Sequence, residues 1–507
     1  MKYRNNLIWL APSLITTTAI LGIFSQSWVH TKVALLIFTL LALVIGYISH
    51  LIFFSEYFQL KFHFLHVVLL GGMISVAIST LLSKDVQYSV YGPTASFSDN
   101  GVLIILCLMA IFILSQLGRR VYSKVYRGVE IGVTISTIYT FILQIIPFNQ
   151  SFLERVSSSL GFQSIPALLI APNITTALII NAIICVGLMG QGVLEFVHKK
   201  KDKKMLVYLS TSFILNYGLL VFFVGEATPA FAYVVTVLGV MLFLGIMAQK
   251  GLLIQKNRVT KAAIFMYVII AIGVVSILAS PTFTVIRSQT SFISNFTLPV
   301  AEKSFRNNPI FGTGPGTISI VWNKNYVNDF NYTPTWDEQK FTLSNEFLDI
   351  VVQFGLVGAL LTVLFSLGVL YFGYITILKR GLVFSPLYYV SFVGLTMVGL
   401  VSLLSSVNVM LILLTMVFSA IFIGEHIEAK VFTIARLKAQ IKNISPSIIS
   451  FVSFIGIFVY IGGGIYAYQY LQVLRSDILF QNAIRAQTVE ERIEKTSQAL
   501  NIYSANL

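Results

Sequence analysis

Residues 347–378 read "FLDIVVQFGLVGALLTVLFSLGVLYFGYITIL", an apolar run whose one charged residue, Asp349, stands near its start. About 20 such residues cross the hydrocarbon core of a bilayer as a helix. The stretch therefore predicts a full span, with enough excess for a turn at the membrane surface. Working outward, 383–403 and 407–424 are two further runs a few residues apart, which predicts a tight helical hairpin, and 447–470 follows. Upstream, runs of the same character lie at 7–25, 33–53, 65–83, 101–117, 129–147, 174–192, 205–224, 229–248 and 262–281. The expected fold is all-α, a polytopic transmembrane helical bundle of thirteen spans. Composition agrees, with 56% of the 507 residues hydrophobic and 11% charged. A soluble domain carries about 25% charge, so a soluble enzyme is excluded. The first run follows Lys2 and Arg4 without a small-residue cleavage site, and reads as a retained signal anchor.

Basic residues near the ends of spans set orientation. With the N-terminus inside, alternate loops hold Lys61; Arg119, Arg120, Lys124 and Arg127; Lys199 to Lys204; Lys250 to Lys261; Lys379 and Arg380; and Lys430, Arg436, Lys438 and Lys442. With Lys2 and Arg4 these make 22 of the 34 Lys and Arg, and the bias follows the alternation through every span. A cytoplasmic N-terminus and an outside C-terminus follow. The net charge of +14 then reports topology and contact with anionic lipid, not nucleic-acid binding. The chain divides into spans one to nine (1–281), a long polar outside loop (282–346), spans ten to thirteen (347–470) and an outside tail with helical patterning (471–507).

Ionisable residues deep in a bilayer are costly and usually functional. On these boundaries Glu56, Glu130, Glu226 and Asp349 all fall near the ends of spans, which weakens an ion-driven transporter. Nucleotide-binding, serine-hydrolase and zinc-protease motifs are missing from the sequence. Cys107 and Cys185 lie in apolar runs and read as buried structural thiols. His63 and His66, spaced i,i+3, read as an interfacial pair and not as metal ligands. No cofactor and no metal are implied.

The outside loop is the most informative segment. A helix is expected over 294–307, stopped by Asn308-Pro309, and then "IFGTGPGT" (310–317) forms a turn. Gly312, Gly314 and Gly316 permit unusual backbone angles and close approach of a ligand, and backbone amides in such a turn can form an anion-binding nest. Arg287, Lys303, Arg306, Lys324 and Lys340 are the nearby cations, and Trp322, Tyr326, Tyr332 and Trp336 are candidate sugar-stacking or interfacial aromatics.

"NNPIFGTGPGTI" (307–318), followed by "SNEFLDIVVQFGLVGALL" (344–361), resembles the signature region of the O-antigen ligase/polymerase superfamily. There an outer loop with a Pro and a Gly-x-Gly turn precedes a His-Asn pair at the start of the next span. The resemblance covers about 287–358. It implies a GT-C-like membrane fold and a metal-independent glycosyltransferase in the bacterial cytoplasmic membrane. Such an enzyme moves a glycan from a polyprenyl (undecaprenyl) diphosphate carrier to an acceptor lipid, sugar or protein at the outer face. Carried over, Arg287 is the diphosphate arginine, with Arg306 second, and Asn345 matches the family Asn. Guanidinium suits a diphosphate because it binds oxygen pairs bidentately. The family histidine position holds Ser344, and 282–346 contains no histidine. Serine is no base without an activating partner, so Glu346 is the preferred base, with Asp349, Glu302 and Asp337 as alternatives. A non-catalytic scaffold in envelope glycan assembly and a polysaccharide or lipid-linked-glycan flippase are the competing classes. The tail, "LRSDILFQNAIRAQTVEERIEKTSQALNIYSANL" (474–507), resembles the first helix pair of a tetratricopeptide-like unit.

Overall fold

The computed structural model describes residues 29–53, 57–92, 100–145, 182–191, 203–222, 236–241, 293–332, 342–343, 345–378, 385–404, 409–429, 433–440, 461–469 and 488–502, with single positions between 454 and 483. In chain order these form α1 (Val29–Phe53), β1 (Tyr57–His63), α2 (Phe64–Leu82), α3 (Val86–Tyr91), α4 (Gly101–Gln116), α5 (Arg119–Ile145), α6 (Ala182–Gln191), α7 (Lys203–Phe222), α8 (Leu298–Asn307), α9 (Ile318–Asn325), α10 (Glu346–Leu378), α11 (Pro386–Leu404), α12 (Val409–Glu428), β2 (Thr433–Gln440) and α13 (Val489–Ile502). Four of them, Phe64–Leu82, Glu346–Leu378, Pro386–Leu403 and Leu411–Glu428, are long and apolar enough to cross a membrane. The expected runs at 7–25 and 262–281 lie outside the described residues.

Helix α12 is the centre of the bundle, packed against α4, α11 and α5. Large side chains fill the space around it, with Tyr122, Tyr126, Tyr388, Phe418 and Phe422 all fully buried. Helix contact is close where Gly373 lies under Phe392 and Gly394 under Phe418, because a residue without Cβ lets the neighbouring ring reach the backbone. Helix α10 is peripheral. Leu356, Leu360, Leu364, Leu367, Tyr371 and Tyr374 stay exposed on it at helical spacing. A continuous apolar stripe of this kind is the face a spanning helix turns to lipid.

One departure from the all-α expectation is a two-stranded ribbon. β1 and β2 pair antiparallel, with Phe58 opposite Ala439, Leu60 opposite Leu437 and Phe62 opposite Ala435. Both segments alternate apolar and polar residues, the period-2 pattern of a strand, and the register puts apolar opposite apolar. The ribbon joins two segments 370 or more residues apart in sequence that share the same sign of basic bias, since Lys61 is opposite Arg436.

The same end of the bundle carries an ion pair between a half-exposed arginine and a buried carboxylate. Glu425 is fully buried and receives Arg119 Nε at 2.9 Å and Nη2 at 2.6 Å. Tyr122 OH and Ser385 Oγ also donate to Glu425 Oε1, at 2.8 and 2.7 Å. Next to it, His63 and His66 are fully buried instead of interfacial. They cap α2 reciprocally: Leu65 N donates to His63 Nδ1 at 3.2 Å and His63 N to His66 Nδ1 at 3.3 Å. His426 stacks on His63 with ring centroids 5.3 Å apart. The sequence placed the pair at the surface because it did not show that α12 folds over His63 and α4 over His66. Burial pushes the His63 imidazole down to about 4. Cys107 and Cys185 are both buried and free, as expected.

Candidate functional site

The opposite end of the bundle is built by residues 293–332, 342–343, 345–357 and the α2–α4 region. Helix α8 has Pro299 in its first turn, where proline's fixed φ and missing N–H are harmless. It buries Val300, Ala301 and Ser304 and turns Glu302, Lys303 and Arg306 outward. Asn308 ends it, donating its N–H to Ser304 O at 3.1 Å. Below α8 lies a small separate core of Val300, Ala301, Ile318, Val321, Trp322, Phe330, Leu343 and Val352.

The glycine turn is locked into a break in α10. Gly355 has φ 63° and ψ −157°, which interrupts the helix. The break frees the carbonyls of residues 352 and 353 and the amides of 356 and 357, and the turn satisfies both sets. Thr313 N donates to Val352 O at 2.9 Å and Gly314 N to Gln353 O at 3.0 Å. In return Leu356 N donates to Pro309 O at 2.8 Å and Val357 N to Ile310 O at 3.2 Å. Gly316 N donates to Gln353 Oε1 at 3.0 Å, and Ser79 Oγ to Gln353 O at 2.7 Å.

The glycines are required by contact as well as by angle. Gly312 and Gly314 have φ 70° and 106°. A Cβ at Gly355 would lie 2.5 Å from Ile310 O and 2.6 Å from Gly312 N. One at Gly312 would overlap the Gln353 backbone, and one at Gly314 would meet Ser83 and Ser89. The two halves of the sequence pattern, 309–316 and 352–357, are thus one structural unit. This corrects the expected anion nest: the amides of Thr313, Gly314 and Gly316 are spent on protein acceptors.

The other candidate residues sort by exposure. Arg306 and Lys303 project from α8; Arg306 Nη2 pairs with Glu302 Oε1 at 2.6 Å, with both side chains more than half exposed. Trp322 is 3% exposed and meets Phe330 edge-on, centroids 5.0 Å apart, so it is a core residue and offers no free face to a sugar. Tyr326 and Tyr332 are the exposed aromatics. Asn345 caps α10, accepting from Leu348 N at 3.2 Å, and its amide donates to Leu403 O at the end of α11. Asp349 is buried, and its Oδ1 accepts from Leu343 N at 2.7 Å. Glu302 and Asp349, two of the alternative bases, are thus both engaged, and Glu346 is half-buried in the first turn of α10. Arg287, Ser344 and Trp336, with Lys340 and Asp337, lie outside the described residues.

The α2–α3 corner closes one side. Tyr88 OH is 2.9 Å from Ser319 Oγ, Ser89 Oγ donates to Ser83 Oγ at 2.7 Å, and burial pushes the Tyr88 phenol up. Gly355 and Gln353 were missed by sequence reasoning. The signal that could have found them is the Gln-x-Gly interrupting an otherwise uniform apolar run.

Helix α5 also carries Glu130. Helix α5 begins at Arg119, not at 129, so Glu130 stands about 12 Å along the axis beyond Tyr122. It is fully buried inside the bundle. Compared with known proteins, the chain matches no family model and no curated protein.

Proposed function

We propose that the chain is a lipid-linked-glycan transferase of O-antigen ligase type, acting at the outer face of a bacterial cytoplasmic membrane. In this reading it has thirteen spans, a cytoplasmic N-terminus and an extracytoplasmic C-terminus. The end with the ribbon and Arg119 faces the cytoplasm, and the end with α8 and the glycine turn faces out. One observation carries the reading. The two separated halves of the motif interlock at the α10 break, directly beside a helix that projects Lys303 and Arg306.

In this mechanism an acceptor hydroxyl attacks the anomeric carbon of the sugar on the carrier diphosphate. The new C–O bond forms as the old one breaks, and the electron pair leaves with the polyprenyl diphosphate. The acceptor proton goes to Glu346. Arg287, assisted by Arg306 and Lys303, holds the diphosphate as charge develops on its bridging oxygen. A fixed cation there stabilises the transition state more than the ground state. Asn345 holds the entrance of α10, and Ser344 replaces the family's base without taking its role.

Reconstitution with an undecaprenyl-diphosphate glycan tests this. Release of the lipid diphosphate is expected from the wild-type chain. No release with any carrier glycan and acceptor, from protein that is folded, leaves the scaffold reading. The flippase reading has Glu130 on its side, and it is recognised by movement of intact carrier across the bilayer without diphosphate release.

A further inference from the structure

Glu130 sits where α5, α6 and α7 meet. Gln191 Nε2 of α6 donates to Glu130 Oε1 at 3.1 Å. Glu130 Oε2 is buried without a hydrogen-bond partner, and so are the hydroxyls of Tyr126 on α5 and Tyr208 on α7. Both phenols stand within electrostatic reach of the carboxyl. Next to the group, Thr134 Oγ1 donates to Glu130 O at 2.8 Å, and Asn216 Nδ2 donates to Thr134 Oγ1 at 3.1 Å. The facing side of α6 is kept open by Gly187, where a Cβ would strike the Tyr126 hydroxyl.

Two phenol oxygens therefore stand around one buried carboxyl whose Oε2 has no hydrogen-bond partner. A buried carboxylate without a countercharge is too costly to persist in a low-dielectric interior. Among the described residues no cationic side chain is bonded to it. Arg127, on the same helix one turn earlier, is exposed but stands within electrostatic reach of the carboxyl. Facing it, α6 offers Gln191 and the buried thiol of Cys185, and α7 offers Tyr208. None of these buried groups carries positive charge, and Arg127 acts on the carboxyl from the exposed side of α5 without a bond to it, which leaves the unpaired Oε2 open to a bound cation.

We infer that Glu130, with Tyr126, Tyr208 and Gln191, forms a site for a monovalent cation inside the membrane bundle, either a proton on Oε2 or a sodium ion among the oxygens. A proton on Oε2 turns the unpaired acceptor into a donor toward the phenols. A sodium ion takes the same position with oxygen ligands, the donors a hard cation prefers. The inference does not depend on the transferase reading, which places its chemistry on the outer loop and the entrance of α10, away from α5.

The full-length protein in lipid nanodiscs is unfolded thermally from about pH 6 to about pH 9, in choline chloride and in sodium chloride. A ligand bound by the native state alone raises the midpoint as its concentration rises. In choline the wild-type midpoint is therefore expected to fall by about 2 °C or more as pH rises, relative to Glu130→Gln. If sodium removes the fall, sodium is the occupant; if sodium leaves it unchanged, the proton is. Should Glu130→Gln not fold, the infrared carbonyl band of a protonated, water-shielded carboxyl decides. The band is expected to fade with rising pH or added sodium and to move in Glu130→Asp, which keeps the acid. A wild-type midpoint independent of both pH and sodium relative to Glu130→Gln, or a Glu130 that stays ionised throughout and blind to sodium, overturns the site.

Discussion

Arg287, Glu346, Ser344 and Gly355 are the single residues on which most turns. Losing one donor to developing charge lowers a rate by about 10²–10³-fold. Arg287→Ala is therefore expected to abolish detectable diphosphate release while the protein still inserts, and Arg287→Lys to recover part, since ammonium lacks the bidentate fork. Glu346→Gln should be damaging and Ser344→Ala mild; the reverse order would move the base to the serine. Gly355→Ala acts on the fold instead. Its φ of 63° and its contact with Ile310 O predict a loss of about 1–3 kcal/mol, read as a lower unfolding midpoint. A Gly355→Ala protein as stable as wild type would show that the break in α10 is not held by that glycine.

At the scale of elements, the ribbon and the cap of α2 are the features to probe. Leu60 and Leu437 are register partners, and opposed residues in antiparallel strands lie about 4.5–5.5 Å apart at Cα, within disulfide range. A Leu60→Cys, Leu437→Cys pair should therefore crosslink under mild oxidation, and failure to do so with both cysteines reactive argues against the pairing. Beneath the ribbon, His63 is held neutral by burial, with its imidazole at about 4 against about 6.5 in the unfolded chain. Between those values the unfolded state binds more protons, so stability is full above about pH 6.5 and is lost as pH falls toward about 4, by roughly 3 kcal/mol. His63→Asn keeps an acceptor for Leu65 N and should flatten that acid loss; an unchanged acid limb would assign it to other groups.

On the scale of the whole molecule, contacts sort the described segments into two ends. Residues 57–66, 116–122, 385–388, 425–429 and 433–440 share one end through the ribbon, the Lys61–Gln116 bond and the Glu425 ion pair. Residues 79–91, 309–326 and 345–357, with Leu403, share the other. The orientation proposed above then predicts that a cysteine at 325 labels with an impermeant reagent from outside and one at 201 does not. The opposite pattern inverts the protein in the membrane.

The sequence alone determined that this is a helical membrane protein, because apolar runs of spanning length leave a chain no other way to satisfy its backbone in lipid. It also determined that Gly312, Gly314 and the 344–361 segment form a pattern, because glycine spacing is local. Tertiary structure decided what the pattern is for. The amides of the glycine turn are consumed by the break at Gly355, Trp322 turns inward onto Phe330, and His63 is covered by His426 of α12 and His66 by Phe112 and Ser115 of α4. It decided also that Glu130 is buried inside the bundle, since which residues of α5 are covered depends on the helices packed against it. Each of these depends on which distant segment covers a residue, and that is a property of the packed chain, absent from any window of sequence.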